Sequence, residues 1–282
     1  MLTSGEGQQR NADGSPATAH PAQTPASYRQ PARPACQCSQ TPAPTPNMTA
    51  AAAPKVLLLV YQQFLPGKGA PRQAFERDIA GSFDRLAAPL SWIELESLTG
   101  PPQALFIDPA NSFAEIDKAG AVLAQIYGAH PDLAQSQQQI EDLVANSRTV
   151  TAALRDDLSV NANALNLAKA RYLRVLVIQV RPERVSDFAK TLDTNWRASQ
   201  TKTRFWATYQ VNAGLPDVTF LIIESMRSMQ DVDHGLLDSD LAPLGMAISS
   251  ETNLFAIHPE MSHVSKEFAA GDPTFWMQAP AP

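Results

Sequence analysis

The pattern of apolar and polar positions along the chain occurs twice, beginning at Lys55 and again at Arg171. Lys55 opens the run KVLLLVYQQFLP and Arg171 opens RYLRVLVIQVRP, and each run is typical of a strand followed by a turn. Val56–Phe64 is apolar at successive positions until Gln62, which indicates a strand covered on both faces. The pattern therefore predicts two copies of one structural unit.

The first copy continues with a helix, two strands joined by a turn, a second helix and a final strand. The first helix has an apolar stripe, and the second begins at a capping box formed by Ser112 and Glu115. The predicted elements are the stripe of Phe75, Ile79, Phe83 and Leu86 and the strands over 92–97, 103–107 and 149–154. A glutamine-rich pattern near 131–147 predicts one extra helix in this copy.

The second copy has the same order of elements. It has the stripe Val185, Phe188, Leu192 and Trp196, strands over 205–212 and 218–224, and a cap at Ser228. Ser228 lies 116 residues after Ser112, which is also the spacing of the two copies, and Trp206 lies 114 residues after Trp92. Each copy predicts a four-stranded antiparallel sheet with two helices on one face. We therefore predict an α+β fold of two ferredoxin-like βαββαβ repeats, 55–165 and 170–276, packed sheet to sheet as an intramolecular dimeric α/β barrel.

Residues 1–54 differ in composition from the rest of the chain. They contain no lysine and nine of the 23 prolines, so they cannot bury enough apolar area to offset the entropy of ordering. We predict a disordered, Pro/Ala-rich tail. It lacks the basic start and apolar core of a secretory signal, which favours a cytoplasmic location, with export from a different N-terminus as the alternative.

The overall charge of the chain restricts the classes of binding partner. The formal net charge of -6 argues against surfaces that bind nucleic acid or anionic lipid, because both need clustered Lys and Arg. No apolar run approaches the roughly 20 residues that span a bilayer. We expect a monomer or homodimer whose partner is a small organic ligand.

The predicted architecture resembles the dimeric α/β-barrel group, which includes antibiotic-biosynthesis-monooxygenase-like and NIPSNAP-like domains. The resemblance covers about 55–276, as a tandem pair. The ending LFAIHPEMSHVS at 254–265, with DPTFW at 272–276, is similar to an uncharacterised bacterial family built from two such halves. That resemblance implies a fold and no established activity.

Alternation along the second strand of each copy selects candidate ligand-binding residues. Ile93 and Leu95 are its apolar set, so we expect them to face the helices and their neighbours to face the barrel lumen. The predicted lumen set is Trp92, Glu94, Glu96, Trp206, Thr208 and Gln210. Two indoles with a few polar groups suit a small organic molecule. The alternative is that the tryptophans fill the core between the sheets and the glutamates lie on an exposed edge.

Few residues have the setting of a metal ligand. Haem-binding relatives of the dimeric barrel group supply an iron ligand from the element that contains His234, so the resemblance makes His234 a haem-ligand candidate; a solvated helix position is the alternative. His258 and His263 flank a strand end beside Glu260, but the sequence offers no further ligand at a suitable spacing. We expect no metal and no cofactor.

Three classes of function remain. The chain lacks a Gly-x-Ser-x-Gly motif and a glycine-rich phosphate loop, so hydrolase, kinase and dinucleotide-binding functions are poorly supported. The first class is a small-molecule-binding or structural module that uses the lumen between the sheets. The alternatives are a cofactor-independent monooxygenase or isomerase, whose lumen orients the substrate, and a haem-binding protein.

Overall fold

The structure is a computed structural model that describes residues 53–162, 165–193, 205–234 and 245–277. The predicted tail lies outside these residues except for its last two positions, and Trp196 lies outside them as well. None of the helices in the described ranges is long and apolar enough to cross a membrane.

The first half of the described chain contains four strands and three helices. They are β1 Val56–Phe64, α1 Gly69–Arg85, β2 Ile93–Ser97, β3 Gln103–Ala110, α2 Phe113–Ala129, α3 Pro131–Glu141 and β4 Val144–Leu154. The predicted cap at Ser112 is confirmed, since its hydroxyl accepts a hydrogen bond from the Glu115 N–H and α2 begins at the next residue. The Glu115 carboxylate accepts from the Asn111 N–H and not from that of Ser112, so the capping box is only half formed. The extra helix is shorter than predicted, because α3 ends at Glu141 and β4 already begins at Val144.

The second half supplies four more strands and one α-helix between its first two described strands. They are β5 Tyr172–Val180, α4 Val185–Thr191, β6 Ala207–Ala213, β7 Thr219–Met226 and β8 Ala247–Ile257. A short 3-10 helix follows the last strand of each half, at Asp156–Leu158 and at Pro259–Met261. Another 3-10 helix, Met229–His234, lies where the first half has α2.

The eight strands form one closed antiparallel barrel in the order β1-β3-β2-β8-β5-β7-β6-β4. The fold class is therefore α+β with an eight-stranded antiparallel barrel. Within this order the first half contributes β4-β1-β3-β2 and the second contributes β8-β5-β7-β6. In both halves the neighbouring strands are therefore the fourth, first, third and second of that half. Pairing of β2 with β8 and of β4 with β6 joins the halves on both sides.

The inside of the barrel is filled with apolar side chains, two from each strand. They are Leu57, Leu59, Ile93, Leu95, Leu105, Ile107, Val150, Ala152, Leu173, Val175, Ala207, Tyr209, Leu221, Ile223, Phe255 and Ile257. All of them are buried. We call this set the inner cluster.

The inner cluster overturns the predicted orientation of the second strand in each half. Ile93 and Leu95 point into the barrel, so the prediction that they face the helices is wrong. Ala207 and Tyr209 point inward as well, which places the alternate residues of both strands on the outer face beneath the helices. The physical reason is that the interior of the closed barrel is packed with buried apolar side chains, whereas the outer face of β2 is covered by a helix that brings its own charged group, Arg72.

Candidate functional site

A cavity of about 200 Å³ lies between the outer face of the first half and α2. Its walls are mainly apolar, with three polar residues among them. The apolar walls include Leu58, Leu90, Trp92, Ile116, Ala119 and Leu123, and the polar residues are Ser91, Asp108 and Glu115. A concave, mostly apolar space with a few polar groups is the usual form of a small-molecule site.

Helix α2 covers this cavity loosely. None of its 17 residues is fully buried, although Ile116, Ala119 and Leu123 form an apolar stripe that faces the sheet. Gly120 both lines the cavity and is exposed, so the cavity reaches solvent at this residue. On this side the cavity is therefore bounded by a helix and not by a strand of the barrel.

Asp108 on β3 is the polar group that stands out in this cavity. It lies directly opposite Leu58 on β1, and its carboxyl makes no hydrogen bond or ion pair within the described part of the chain. Asp108 is partly buried and borders the cavity, and desolvation of its carboxyl raises the pKa of this group from the ordinary 3.8 to about 7. The nearby Ser91 hydroxyl is also buried without a partner among the described residues. Two polar groups thus face or flank the cavity with unused hydrogen-bonding capacity.

The second half has an ion pair at the corresponding place. Glu224 on β7 lies opposite Arg174 on β5, just as Asp108 lies opposite Leu58. Glu224 follows Asp108 by 116 residues, and Arg174 follows Leu58 by the same number. The Arg174 Nε donates to Glu224 at 2.9 Å, and Nη2 donates to the same oxygen. The carboxyl thus has a guanidinium partner in the second half and a cavity beside it in the first.

Glu94 and Glu96 lie next to this cavity in a charged cluster centred on Arg72 of α1. The fully buried guanidinium donates to Glu94 at 2.9 Å, to Glu96 at 2.5 Å and to Glu76 at 3.3 Å. Burial raises the pKa of Glu94 to about 8 and that of Glu76 to about 7, although Arg72 opposes both shifts. The three carboxyl groups that share this guanidinium therefore retain a bound proton among them at neutral pH.

His258 closes the solvent side of this cluster. Its ring lies 3.1 Å from Glu260 and 3.8 Å from Glu96. Burial lowers the pKa of His258, but the hydrogen bond to Glu260 and the nearby Glu94 and Glu96 outweigh this effect, so the pKa is raised. In the described residues no group of three or more His, Cys, Asp and Glu is arranged to hold a metal.

The two predicted tryptophans occupy matching positions on the outer faces. The Trp92 Nε1 donates to the carbonyl of Met261 at 3.0 Å, and the Trp206 Nε1 donates to the carbonyl of Leu158 at 3.3 Å. Each acceptor ends the 3-10 helix that follows the last strand of the other half. Trp92 lines the cavity, whereas Trp206 is buried in the apolar cluster that includes Phe188 of α4.

The remaining predicted site residues bond to protein groups. Thr208 donates to the carbonyl of Leu158 at 2.8 Å, and Gln210 accepts from Arg155 at 2.7 Å. Only Trp92 of the six lines the cavity, and ligand binding by the others stays a prediction. The side chain of His234 lies outside what the structure describes, so its haem-ligand role stays a prediction too.

Sequence reasoning missed Asp108 and Leu58, the residues that distinguish the two halves. The signal was present, because aligning the copies at their spacing of 116 places Leu58 against Arg174 and Asp108 against Glu224. An aliphatic residue opposite an acid in one copy, where the other copy has a cation opposite an acid, indicates that only one of the two acids has a cationic partner. The predicted strand over 103–107 ends before Asp108, so strand alternation assigns this residue to neither face.

No protein-family model matches the chain, and no curated protein matches it either. Among solved structures, a candidate monooxygenase from Fusobacterium nucleatum aligns at 9% identity with a TM-score of 0.48, covering 73% of this chain and 93% of that one. An anthrone oxidase-like protein aligns at 12% identity with a TM-score of 0.42, covering 75% and 94%. A mutant chlorite dismutase from Candidatus Nitrospira defluvii aligns at 11% identity with a TM-score of 0.49, covering 79% and 97%. Similarity of this degree assigns neither family nor activity, so function is argued from the cavity.

Proposed function

We propose that this protein binds a small, largely apolar organic molecule in the cavity between the first-half sheet and α2. The observation that carries the proposal is the half-buried carboxyl of Asp108, which borders a mainly apolar cavity and has no hydrogen-bond or ion-pair partner in the described part of the chain. The site therefore differs from the predicted one inside the barrel, where the inner cluster packs.

The size of the cavity sets the size of the ligand. An apolar cavity of about 150 Å³ accommodates benzene. The cavity of about 200 Å³ is thus suited to one ring with a short polar substituent. This volume lends no support to the haem alternative, because a porphyrin is a macrocycle of four linked pyrrole rings and is much larger than a single ring.

A bound ligand would relieve two unfavourable features at once. A cavity forgoes dispersion contacts, and a buried polar group without a partner costs about 1–3 kcal/mol. A ring would fill the space beside Trp92 and Leu58, and a polar substituent would satisfy Asp108. Natural proteins keep such features at functional sites more often than in their cores.

We also propose that the two halves are ferredoxin-like repeats, over 55–165 and 170–276, derived from one duplicated unit. The shared strand order and the matching indole hydrogen bonds of Trp92 and Trp206 support this origin. The lining of the cavity comes from one chain, so either a monomer or a homodimer could bind the ligand.

Two glycines of α2 provide a matched test. A Cβ at Gly120 or at Gly128 would meet no atom within 4 Å, but only Gly120 lines the cavity. Both Gly→Leu changes should raise helix propensity by a similar amount, about 0.8–1.0 kcal/mol. We expect one-ring compounds to raise the melting temperature of the wild type and of Gly128→Leu, and to have little effect on Gly120→Leu. Equal responses of the two variants would show that binding occurs elsewhere.

A second candidate function is proton-transfer catalysis in the same cavity. A carboxyl whose pKa is about 7 can accept and return a proton at neutral pH, as a cofactor-independent isomerase requires. Asp108 would remove an α-hydrogen from a small ketone, which gives the enolate and the protonated carboxyl. The carboxyl would exchange this proton for a deuteron from solvent and return the deuteron to the α-carbon. The test is NMR detection of α-hydrogen exchange of acetophenone in D₂O, which Asp108→Asn should abolish. Exchange at the uncatalysed rate in the wild type would exclude this candidate.

A further inference from the structure

We infer that the cavity selects a positively charged ligand, a small organic amine or amidine whose cationic group pairs with Asp108. The inference rests on the proposed binding function and narrows its ligand class. It starts from the comparison of the two halves, which places a guanidinium in one half where the other has empty space.

The second half shows which group the shared backbone geometry favours at this position. Arg174 and Glu224 lie opposite each other on β5 and β7, and two guanidinium nitrogens donate to the same carboxylate oxygen. Both side chains are largely buried, so this pair is an ion pair shielded from solvent. A carboxylate at this depth is compensated by a cation from the neighbouring strand.

The first half keeps the acid and lacks the cation. Leu58 stands at the position of Arg174 and cannot donate a hydrogen bond to Asp108. Both residues line the cavity, so the space next to the carboxyl is open to a ligand group. A ligand ammonium or amidinium would supply the charge that Arg174 supplies in the second half.

The other cavity residues favour a cation as well. Glu115 is the second titratable group in the lining, and its carboxylate accepts from the backbone N–H of Asn111 at 2.8 Å. Among the residues that the structure describes, the lining has no Lys, Arg or His, so an anionic ligand would face two acids there without a compensating cation. The Trp92 ring offers an aromatic surface, which attracts cations as well as apolar rings.

A neutral hydrogen-bonding ligand is the competing possibility, and pH separates the two. Burial raises the pKa of Asp108 to about 7, so a cation must displace the proton held below that pH. Affinity for an amine that stays charged should therefore rise from pH 6 to pH 8, by up to about tenfold per pH unit below the pKa. A neutral alcohol should bind equally well at both values or better at the lower one.

The experiment compares benzylamine with benzyl alcohol, which share a ring and differ in charge, by isothermal titration calorimetry at pH 6 and pH 8. At pH 8 we expect benzylamine to bind the wild type at least about tenfold more tightly than benzyl alcohol, as charge-assisted hydrogen bonds are stronger than neutral ones. Asp108→Asn should remove this preference, and Glu115→Gln, which preserves the helix cap, should largely retain it. Leu58→Arg should abolish benzylamine binding, because its guanidinium can take the place of the ligand.

The outcomes distinguish a failure of the cation preference from a failure of ligand binding in the cavity. If benzyl alcohol binds as tightly as benzylamine and Gly120→Leu blocks both, the cavity binds ligands and the cation inference is overturned. If neither compound binds the wild type at either pH, the proposed function fails for this ligand size and the inference fails with it. Should Leu58→Arg not fold, the Asp108→Asn comparison decides alone, because amide and carboxyl have the same shape.

Discussion

The guanidinium of Arg72 on α1 lies 2.9 Å from the carboxylate of Glu94 on β2, and both side chains are fully buried. This ion pair fastens α1 to the outer face of the sheet next to the ligand cavity. Removing Arg72 leaves the carboxyl groups of Glu76, Glu94 and Glu96 without their shared donor, and truncating one member of a buried charged cluster typically costs about 3–5 kcal/mol. We therefore expect Arg72→Met to lower the free energy of unfolding by an amount in this range, measured by urea denaturation.

Arg85 is the matched control for this change, because it lies on the same helix and is exposed. Arg85→Met should change the free energy of unfolding by less than about 0.5 kcal/mol. Adding Glu94→Gln to Arg72→Met should restore part of the loss, since the remaining amide carries no charge. A double variant no more stable than Arg72→Met would show that Glu94 is not the charge Arg72 compensates.

Asp108→Asn should stabilise the protein in a pH-dependent manner. The pKa of Asp108 is about 7 in the folded chain and about 3.8 when unfolded, so between these values the folded state holds a proton that the unfolded state releases. Rising pH therefore favours unfolding across this window, and the wild type loses stability that Asp108→Asn retains. Each unit of difference between the two pKa values corresponds to about 1.4 kcal/mol, so we expect the stability advantage of Asp108→Asn over the wild type to be about 4 kcal/mol larger at pH 8 than at pH 4.

Asp117→Asn serves as the control, because Asp117 is exposed on α2. Its stability difference from the wild type should not change with pH over the same window. Melting temperatures in matched buffers from pH 4 to pH 8 measure both differences. A constant gap between Asp108→Asn and the wild type would show that the carboxyl is as well solvated when folded as when unfolded.

Trp92 should report ligand binding through its fluorescence. The indole lines the cavity and packs edge-on against Phe83 with ring centroids 5.1 Å apart, so a ligand changes its surroundings. Trp92→Phe should lose the ligand-induced fluorescence change, whereas Trp206→Phe should retain it. Both variants also lose an indole hydrogen bond, so we expect each to be destabilised by about 1–3 kcal/mol. A ligand response that disappears only in Trp206→Phe would place the site in the second half.

The two halves should not fold separately as monomers. The first half alone would expose its inner-cluster residues, which are more apolar surface than the few hundred Å² that monomeric proteins tolerate. We expect a 55–165 fragment to aggregate or to form a homodimer, observed by light scattering after size-exclusion chromatography. A monomeric fragment with cooperative thermal unfolding would contradict this expectation.

Much of the fold could be predicted because the strand patterns are strong and occur twice. The observed β1 matches the predicted Val56–Phe64, and α2 begins where Ser112 and Glu115 indicated. Helix and strand compete where periodicity is weak, which is why Val144 was assigned to a helix and lies in β4.

Which side chains of β2 point into the barrel could not be predicted from the residues of this strand alone. Ile93 and Leu95 identify one apolar face, but either side of this sheet is covered, so alternation alone does not tell inside from outside. Glu94 was read as a lumen residue because its buried partner, Arg72, lies 22 positions earlier on a different element. The cavity also depends on a difference between two strands far apart in the chain, which no local pattern reveals.

The covalent connection between the halves has a consequence for symmetry. In a barrel assembled from two identical chains, any substitution on one outer face is imposed on the other as well, so an ion pair such as Arg174–Glu224 could only be present twice or absent twice. A single chain is free of this constraint. One face can keep the ion pair that anchors its strands, while the other gives up its cation and accepts an open space beside Asp108. In this barrel one outer face has the buried ion pair of Arg174 and Glu224, and the other has an aliphatic residue and a cavity beside its acid.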